Sequence, residues 1–233
     1  YILVNEVYAD SPASMVGLQA GDLIVKVDDL DVNAETYQQA ADAIRGEEGS
    51  KVNITYRREA EDTTIEVTRR KVDIPTVFSR IIDGNIGYVQ VTEFNESTAT
   101  QFSNQVDTLI GQGAQALVFD MRNNGGGTLS SVTKMLDKLL PEGDIISAEY
   151  KDGTVEVLAK SDENEIDLPM VVLTNNRTAS AAELFTQALR DYGKAKSVGV
   201  TTYGKGTMQT VKKLNDGSAV NVTVARYLPP SGV

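Results

Sequence analysis

Apolar residues in this chain recur with two periods, and the switches between them mark out the elements. Ile2–Val7 and Leu23–Val27 read as strands, and Asp10-Ser-Pro-Ala opens a short helix with Pro at its first position. Gly17 ends that helix. Residues 35–45 predict a second helix, with Tyr37, Ala40, Ala41 and Ile44 on one face and Gly46 and Gly49 beyond it. Lys51–Arg57 and Thr64–Arg70 alternate on either side of an acidic turn and predict a hairpin.

The pattern then changes to long periodic runs. Residues 72–85 read as a connector and Ile86–Val91 as a strand. Ser97 is placed to cap a helix with Ala99, Phe102, Val106, Leu109 and Ile110 on one face. Ala116–Phe119 is a buried strand, so this strand–helix–strand unit implies parallel pairing. Leu129–Leu140 predicts a helix with Val132, Met135, Leu136, Leu139 and Leu140 inward. Residues 142–167 hold nine acids and two bases and predict a solvated flap, with a hairpin around Lys151-Asp-Gly153. Met170–Leu173 is another buried strand. After it, apolar residues at 181, 184, 185, 188 and 189 make one helical face, stopped by Gly193. Gln209–Leu214 and Ala219–Ala225 flank Asn215-Asp-Gly and predict a hairpin.

Composition restricts the chemistry. The 233 residues contain no His and no Cys, which excludes a Ser-His-Asp triad, a Cys-His pair and an imidazole- or thiolate-ligated metal. A nucleophile would have to be Ser or Thr, served by Lys, a carboxylate or an amine. The net charge of −11 is spread over both blocks, −7 in residues 1–70 and −4 in 71–233. No basic stripe with interleaved aromatics speaks for nucleic acid, and no apolar run approaches the ~18–20 residues of a spanning helix.

The stretch from Thr174 to Gln209 carries the candidate chemistry. Ser180 precedes the helix that begins at Ala181, where free N–H groups and the helix dipole favour negative charge. An oxyanion formed on Ser180 would find donors there, such as the Ala181 N–H. Ser180-Ala-Ala-Glu183 is equally a capping box. Lys205 sits between Gly204 and Gly206, which let another chain pack close, and the Gln209 amide is placed to orient its amine. A lysine base near neutral pH needs a pKa lowered from roughly 10.4 towards 7–8, which packing against a helix end would favour. Gly199 to Lys205 also matches the start of a P-loop, but Gly206 replaces the magnesium-binding hydroxyl and a strand follows.

Thr-Ala-Ser180-Ala-Ala-Glu-Leu and Thr-Tyr-Gly-Lys205-Gly-Thr-Met-Gln209 resemble the signature of the carboxyl-terminal processing peptidases, family S41. The resemblance makes Ser180 the nucleophile, Lys205 the base 25 residues on and Gln209 its support. Ala182 stands where the family has a second Ser. Asp120-Met-Arg122-Asn-Asn-Gly125-Gly126-Gly127 resembles the family's Asp-x-Arg-x-Asn-Pro-Gly-Gly, with Gly125 in place of Pro. By that resemblance Gly126 and Ala181 form the oxyanion hole, with the choice between Gly126 and Gly127 left open. The run Val-Ala-Arg-Tyr-Leu near the end also resembles the family.

Ser11-Pro-Ala, Val16-Gly-Leu-Gln-Ala-Gly-Asp-Leu-Ile and Ile44-Arg-Gly-Glu-Glu-Gly resemble a circularly permuted PDZ domain, which binds a peptide C-terminus as an added strand. The helix at 35–45 would be one wall of the groove, and the other wall would precede Tyr1. The implied fold is mixed α/β: a PDZ-like domain over 1–71, the connector, and a ClpP/crotonase-like peptidase core over 86–233. The chain reads as a fragment of a longer protein.

The resemblance implies a serine endopeptidase needing no cofactor or metal. Its partners would be protein or peptide substrates with apolar C-termini, with a homo-oligomer compatible, and its location extracytoplasmic or in an organelle lumen. The rivals are a non-catalytic PDZ-type peptide-binding module on a peptidase-like scaffold and an acyl-CoA enzyme of the crotonase kind.

Overall fold

A computed structural model describes residues 1–232, so the expected last residue of the core, Val233, lies outside the described residues. The chain divides into two compact units, Tyr1–Ile74 and Pro75–Val233.

In the first unit, β1 (Ile2–Leu3), α1 (Pro12–Met15), β2 (Leu23–Val27), β3 (Leu30–Asp31), α2 (Tyr37–Ile44), β4 (Lys51–Arg58) and β5 (Glu61–Thr68) follow one another. The sheet order is β1-β2-β4-β5, with β3 also on β2. Ile24, Val27, Ala40, Val52, Ile54 and Val67 are its core. The first strand is shorter than expected. Helix α2 packs through Ala40, Ala43 and Ile44, while Tyr37 is exposed, so its inner face is turned from the expected one. The hairpin turns at Glu59-Ala60, both at positive φ. Of the acids expected in the turn, Glu59 lies there, while Glu61 and Asp62 belong to β5, where Asp62 pairs with Arg57 at 2.6 Å. Asp22, buried after the Gly21 turn, holds Arg58 through two bonds of 2.7 Å. That pairing holds the Asp22 carboxyl below its ordinary value against the upward push of burial.

The second unit begins inside the expected connector. Residues 77–82 form β6 (Val77–Ile82), antiparallel to β7 (Ile86–Val91). The alternation in Val-Phe-Ser-Arg-Ile-Ile is too broken to show this strand in the sequence. There follow α3 (Thr98–Gly111), β8 (Ala116–Asp120), α4 (Leu129–Asp137), β9 (Gly143–Tyr150), β10 (Val155–Ser161), β11 (Met170–Thr174), α5 (Ala181–Asp191), β12 (Ala195–Gly199), β13 (Thr207–Lys213) and β14 (Ala219–Leu228). Strands β7, β8, β11 and β12 are parallel, in the order β12-β11-β8-β7-β6. A second, antiparallel sheet has the order β10-β9-β14-β13.

The flap expected over 142–167 is therefore corrected. Its hairpin exists, but β9 is an inner strand paired with β14, and Ile145 and Ile146 join the core. Ser97 makes no capping bond with its side chain. Asn95 Oδ1 instead accepts from the N–H groups of Ser97 and Thr98, at 2.9 and 3.1 Å. The core centres on Phe94, Phe102, Phe119 and Phe185, whose ring centroids lie 5.4–6.4 Å apart. Each such buried ring contributes roughly 1.5–3 kcal/mol through area alone.

This topology positions the candidate chemistry. The neighbouring parallel strands β8 and β11 end at Asp120 and Thr174, and their next loops run side by side. Crevices outside the carboxyl ends of parallel strands are where such sheets bind ligands.

Candidate active site

Ser180 stands at the N-cap of α5 with φ 55° and ψ −118°. A non-glycine residue in this region is strained by about 1–3 kcal/mol, so the surroundings must hold it. They do so from three sides. The Thr178 hydroxyl donates to the Met121 carbonyl at 2.8 Å, and the Ala179 N–H donates to the Asn124 carbonyl at 3.0 Å. The Ser180 N–H donates to Glu183 Oε2 at 2.7 Å. Behind the turn, α5 buries Ala181, Ala182, Leu184, Phe185, Ala188 and Leu189.

The glycine loop closes on this turn. Gly126 has φ 101°, and a methyl group on it would stand 2.8 Å from the Ala179 carbonyl oxygen and 2.9 Å from Ser180 Cβ. Gly127 has φ 146°, and a methyl there would come within 2.0 Å of the Phe94 carbonyl oxygen. Only glycine fits either place. The Gly126 N–H, expected at the oxyanion position, donates instead to Asn124 Oδ1 at 2.8 Å. Gly127, not Gly126, lines the cavity beside Ser180 and Ala181. As the first helical residue, Ala181 has no intrahelical acceptor for its N–H.

That cavity measures about 410 Å³ and brings Ser180, Ala181, Lys205 and Gln209 together with Leu129, Ile146, Leu184 and Met208. The two motifs, 25 residues apart in sequence, thus share one site. Their settings differ. Lys205 is exposed, on a loop between β12 and β13. Gln209 is also exposed, and its Oε1 accepts from the Asn221 amide at 3.3 Å, so its recorded partner is on β14 and not Lys205.

Two residues stand out that the sequence did not single out for this role. Glu183 does more than cap. Its Oε1 accepts from the Thr202 hydroxyl at 2.7 Å and the Gly204 N–H at 2.6 Å, and its Oε2 accepts from the Lys205 N–H at 2.9 Å. The Tyr227 hydroxyl reaches the carbonyl oxygens of Lys205 and, at 3.3 Å, of Ser180. Burial and the nearby Glu183 charge push the Tyr227 hydroxyl up to about 12. It therefore stays protonated, and a donor, at neutral pH. The resemblance of the run around Tyr227 was visible in the sequence, but its contacts were not.

Beneath the glycine loop, Asp120 is buried and receives Arg122 through Nε at 2.9 Å and Nη2 at 2.6 Å, with the Tyr88 hydroxyl at 2.6 Å. Burial pushes the Asp120 carboxyl up, but Arg122 and Tyr88 outweigh it and hold it below its ordinary value. Among the described residues, no cluster of three or more His, Cys, Asp or Glu could hold a metal ion, and no helix is long and apolar enough to cross a membrane.

Residues 85–233 match the family described as Peptidase family S41, and residues 3–58 match a PDZ domain. The chain is similar to the Carboxy-terminal processing protease CtpA of Bacillus subtilis (strain 168), at 36% identity over 99% of this chain and 50% of that one. It is similar to the chloroplastic C-terminal processing peptidase of Tetradesmus obliquus, at 35% identity over 95% of this chain and 52% of that one. Among solved structures, a photosystem II D1 C-terminal processing protease matches with a TM-score of 0.64 and 34% identity, over 99% of this chain and 64% of that one. The chain spans about half the length of these curated relatives.

Proposed function

The chain belongs to peptidase family S41, with a PDZ domain ahead of the peptidase region, and from that premise we propose that it works as a serine endopeptidase with a Ser180–Lys205 dyad. The observation that carries this reading is the shared cavity: a strained serine at a helix N-terminus, a lysine and a glutamine all line it.

In the proposed reaction, neutral Lys205 Nζ takes the proton from Ser180 Oγ as that oxygen bonds to a substrate carbonyl carbon. The carbonyl π electrons move to oxygen, and the N–H groups of Ala181 and Gly127 receive the oxyanion. The C–N bond then breaks, the amine leaves with the proton from Lys205, and an acyl-enzyme remains. Water, deprotonated by Lys205, releases the acid and restores Ser180. Substrate covering the cavity would strip water from Lys205, which is exposed in this structure. Gln209 would turn from Asn221 to hold the lysine amine.

The apolar lining by Leu129, Ile146, Leu184 and Met208 suits small or apolar side chains at the cut. The PDZ domain would present substrates by their C-termini, with α2 as one wall of its groove. We place the activity outside the cytoplasm or in an organelle lumen, in keeping with the chloroplastic relative.

The test is cleavage of an unfolded protein with an apolar C-terminus, comparing wild type with Ser180→Ala. Loss of cleavage in the variant supports the reading. A variant as active as wild type, or tails bound and never cut by wild type, would replace it with a peptide-binding module.

A further inference from the structure

Ser180 and Lys205 belong to different elements; beside one backbone bond from the Tyr203 N–H to the Thr178 carbonyl at 2.9 Å, one carboxylate makes most of the bonds that join them. A cap on α5 needs Glu183 only to accept from the Ser180 N–H. Yet three of its four bonds leave the helix, to the Thr202 hydroxyl and the N–H groups of Gly204 and Lys205. An ionised carboxylate has about four acceptor sites, so this one is fully used. All four donors come from residues 180 and 202–205, the nucleophile's turn and the base's loop.

We propose that Glu183 is a positioning residue that docks the Lys205 loop onto the Ser180 turn and so fixes the base relative to the nucleophile. The inference rests on the reading of these two residues as nucleophile and base. Tyr227 reinforces the same junction from β14, since its hydroxyl spans the carbonyl oxygens of Ser180 and Lys205. Length and charge both matter. Asp in place of Glu183 falls one methylene short of the loop, and Gln turns an amide NH₂ towards donors that need an acceptor. The loop N–H groups lie near solvent and would find water when released. Losing the dock should therefore displace the loop more than it unfolds the protein.

The experiment measures steady-state peptide cleavage, melting temperature and amide hydrogen exchange for wild type, Glu183→Gln, Glu183→Asp and Thr202→Val, with Ser180→Ala as control. A base displaced by about 1 Å costs about 10²-fold in rate. Glu183→Gln and Glu183→Asp are expected to lose about that much in kcat with little change in KM. Thr202→Val, which removes one of the four bonds, should lose less. Exchange at the Gly204 and Lys205 amides should quicken in the Glu183 variants while amides of β8 and β11 stay protected. Unchanged kcat in both Glu183 variants would overturn the proposal, as would a kcat loss with the Gly204 and Lys205 amides still protected. If Ser180→Ala itself remains active, the dyad reading fails instead, and the two failures are told apart.

Discussion

The two sides of this site, one carrying the proposed nucleophile and the other the proposed base, are built in opposite ways. Ser180 rises from the hydrophobic core: α5 behind it is buried, the glycine loop is pressed against it, and Thr178 and Asn124 are fully enclosed. Lys205 and Gln209 stand on a loop and a β-ribbon where every residue from Gln209 to Val224 is exposed. Packing fixes the first half, because interiors are dense and a methyl group too many has nowhere to go. A handful of hydrogen bonds to Glu183 and Tyr227 fixes the second. Such a division would let the proposed base move without disturbing the fold, and it separates stability from catalysis in a way that mutation can test.

The largest effect is expected from the exposed half. Lys205→Ala should lower kcat/KM by about 10²–10⁴-fold, the usual contribution of a positioned base, while its melting curve overlays that of wild type. A large stability loss would erase the contrast. Gly127→Ala, on the packed side, should by contrast lower stability as well as activity. A positive φ and a backbone clash with Phe94 predict a loss of about 3 kcal/mol or more in urea unfolding. Full stability there would show that the loop is not packed as described.

Asp120→Asn should cost about 1.5–3 kcal/mol, the range for a hydrogen bond to a charged group, read from urea midpoints. Because the folded carboxyl titrates below its ordinary value of 3.8, this contribution is present above that pH and is lost as pH falls below it. The wild-type advantage should thus shrink only in acid. Tyr227→Phe is the smallest, about 1 kcal/mol. Its hydroxyl is raised from 10.0 to about 12, so the contribution is complete below pH 10 and fades as pH rises through 12. Alkaline unfolding curves of the two proteins should converge there.

What could be read from the sequence follows the same division. The apolar positions 181, 184, 185, 188 and 189 announce α5, and all five are buried, because helical burial is a local pattern. The Ser180–Lys205–Gln209 spacing was legible as a motif, and the residues do line one cavity. Three things were hidden. The inner position of β9 depends on pairing with β14, more than seventy residues away, so its acidic flanks read as a solvated flap. Gly126 and Gly127 are identical as letters, and only the Asn124 side chain decides which N–H is taken. Glu183 looked like a cap because a carboxylate's further acceptor sites leave no trace in local sequence.

The most direct test of the Ser180–Lys205 dyad is the rate of labelling by a fluorophosphonate, followed by intact mass and peptide mapping, in wild type and Lys205→Ala. The account predicts a single adduct on Ser180 that forms about 10²-fold or more slower without the lysine. An adduct on another residue, or equal rates in the two proteins, would contradict it.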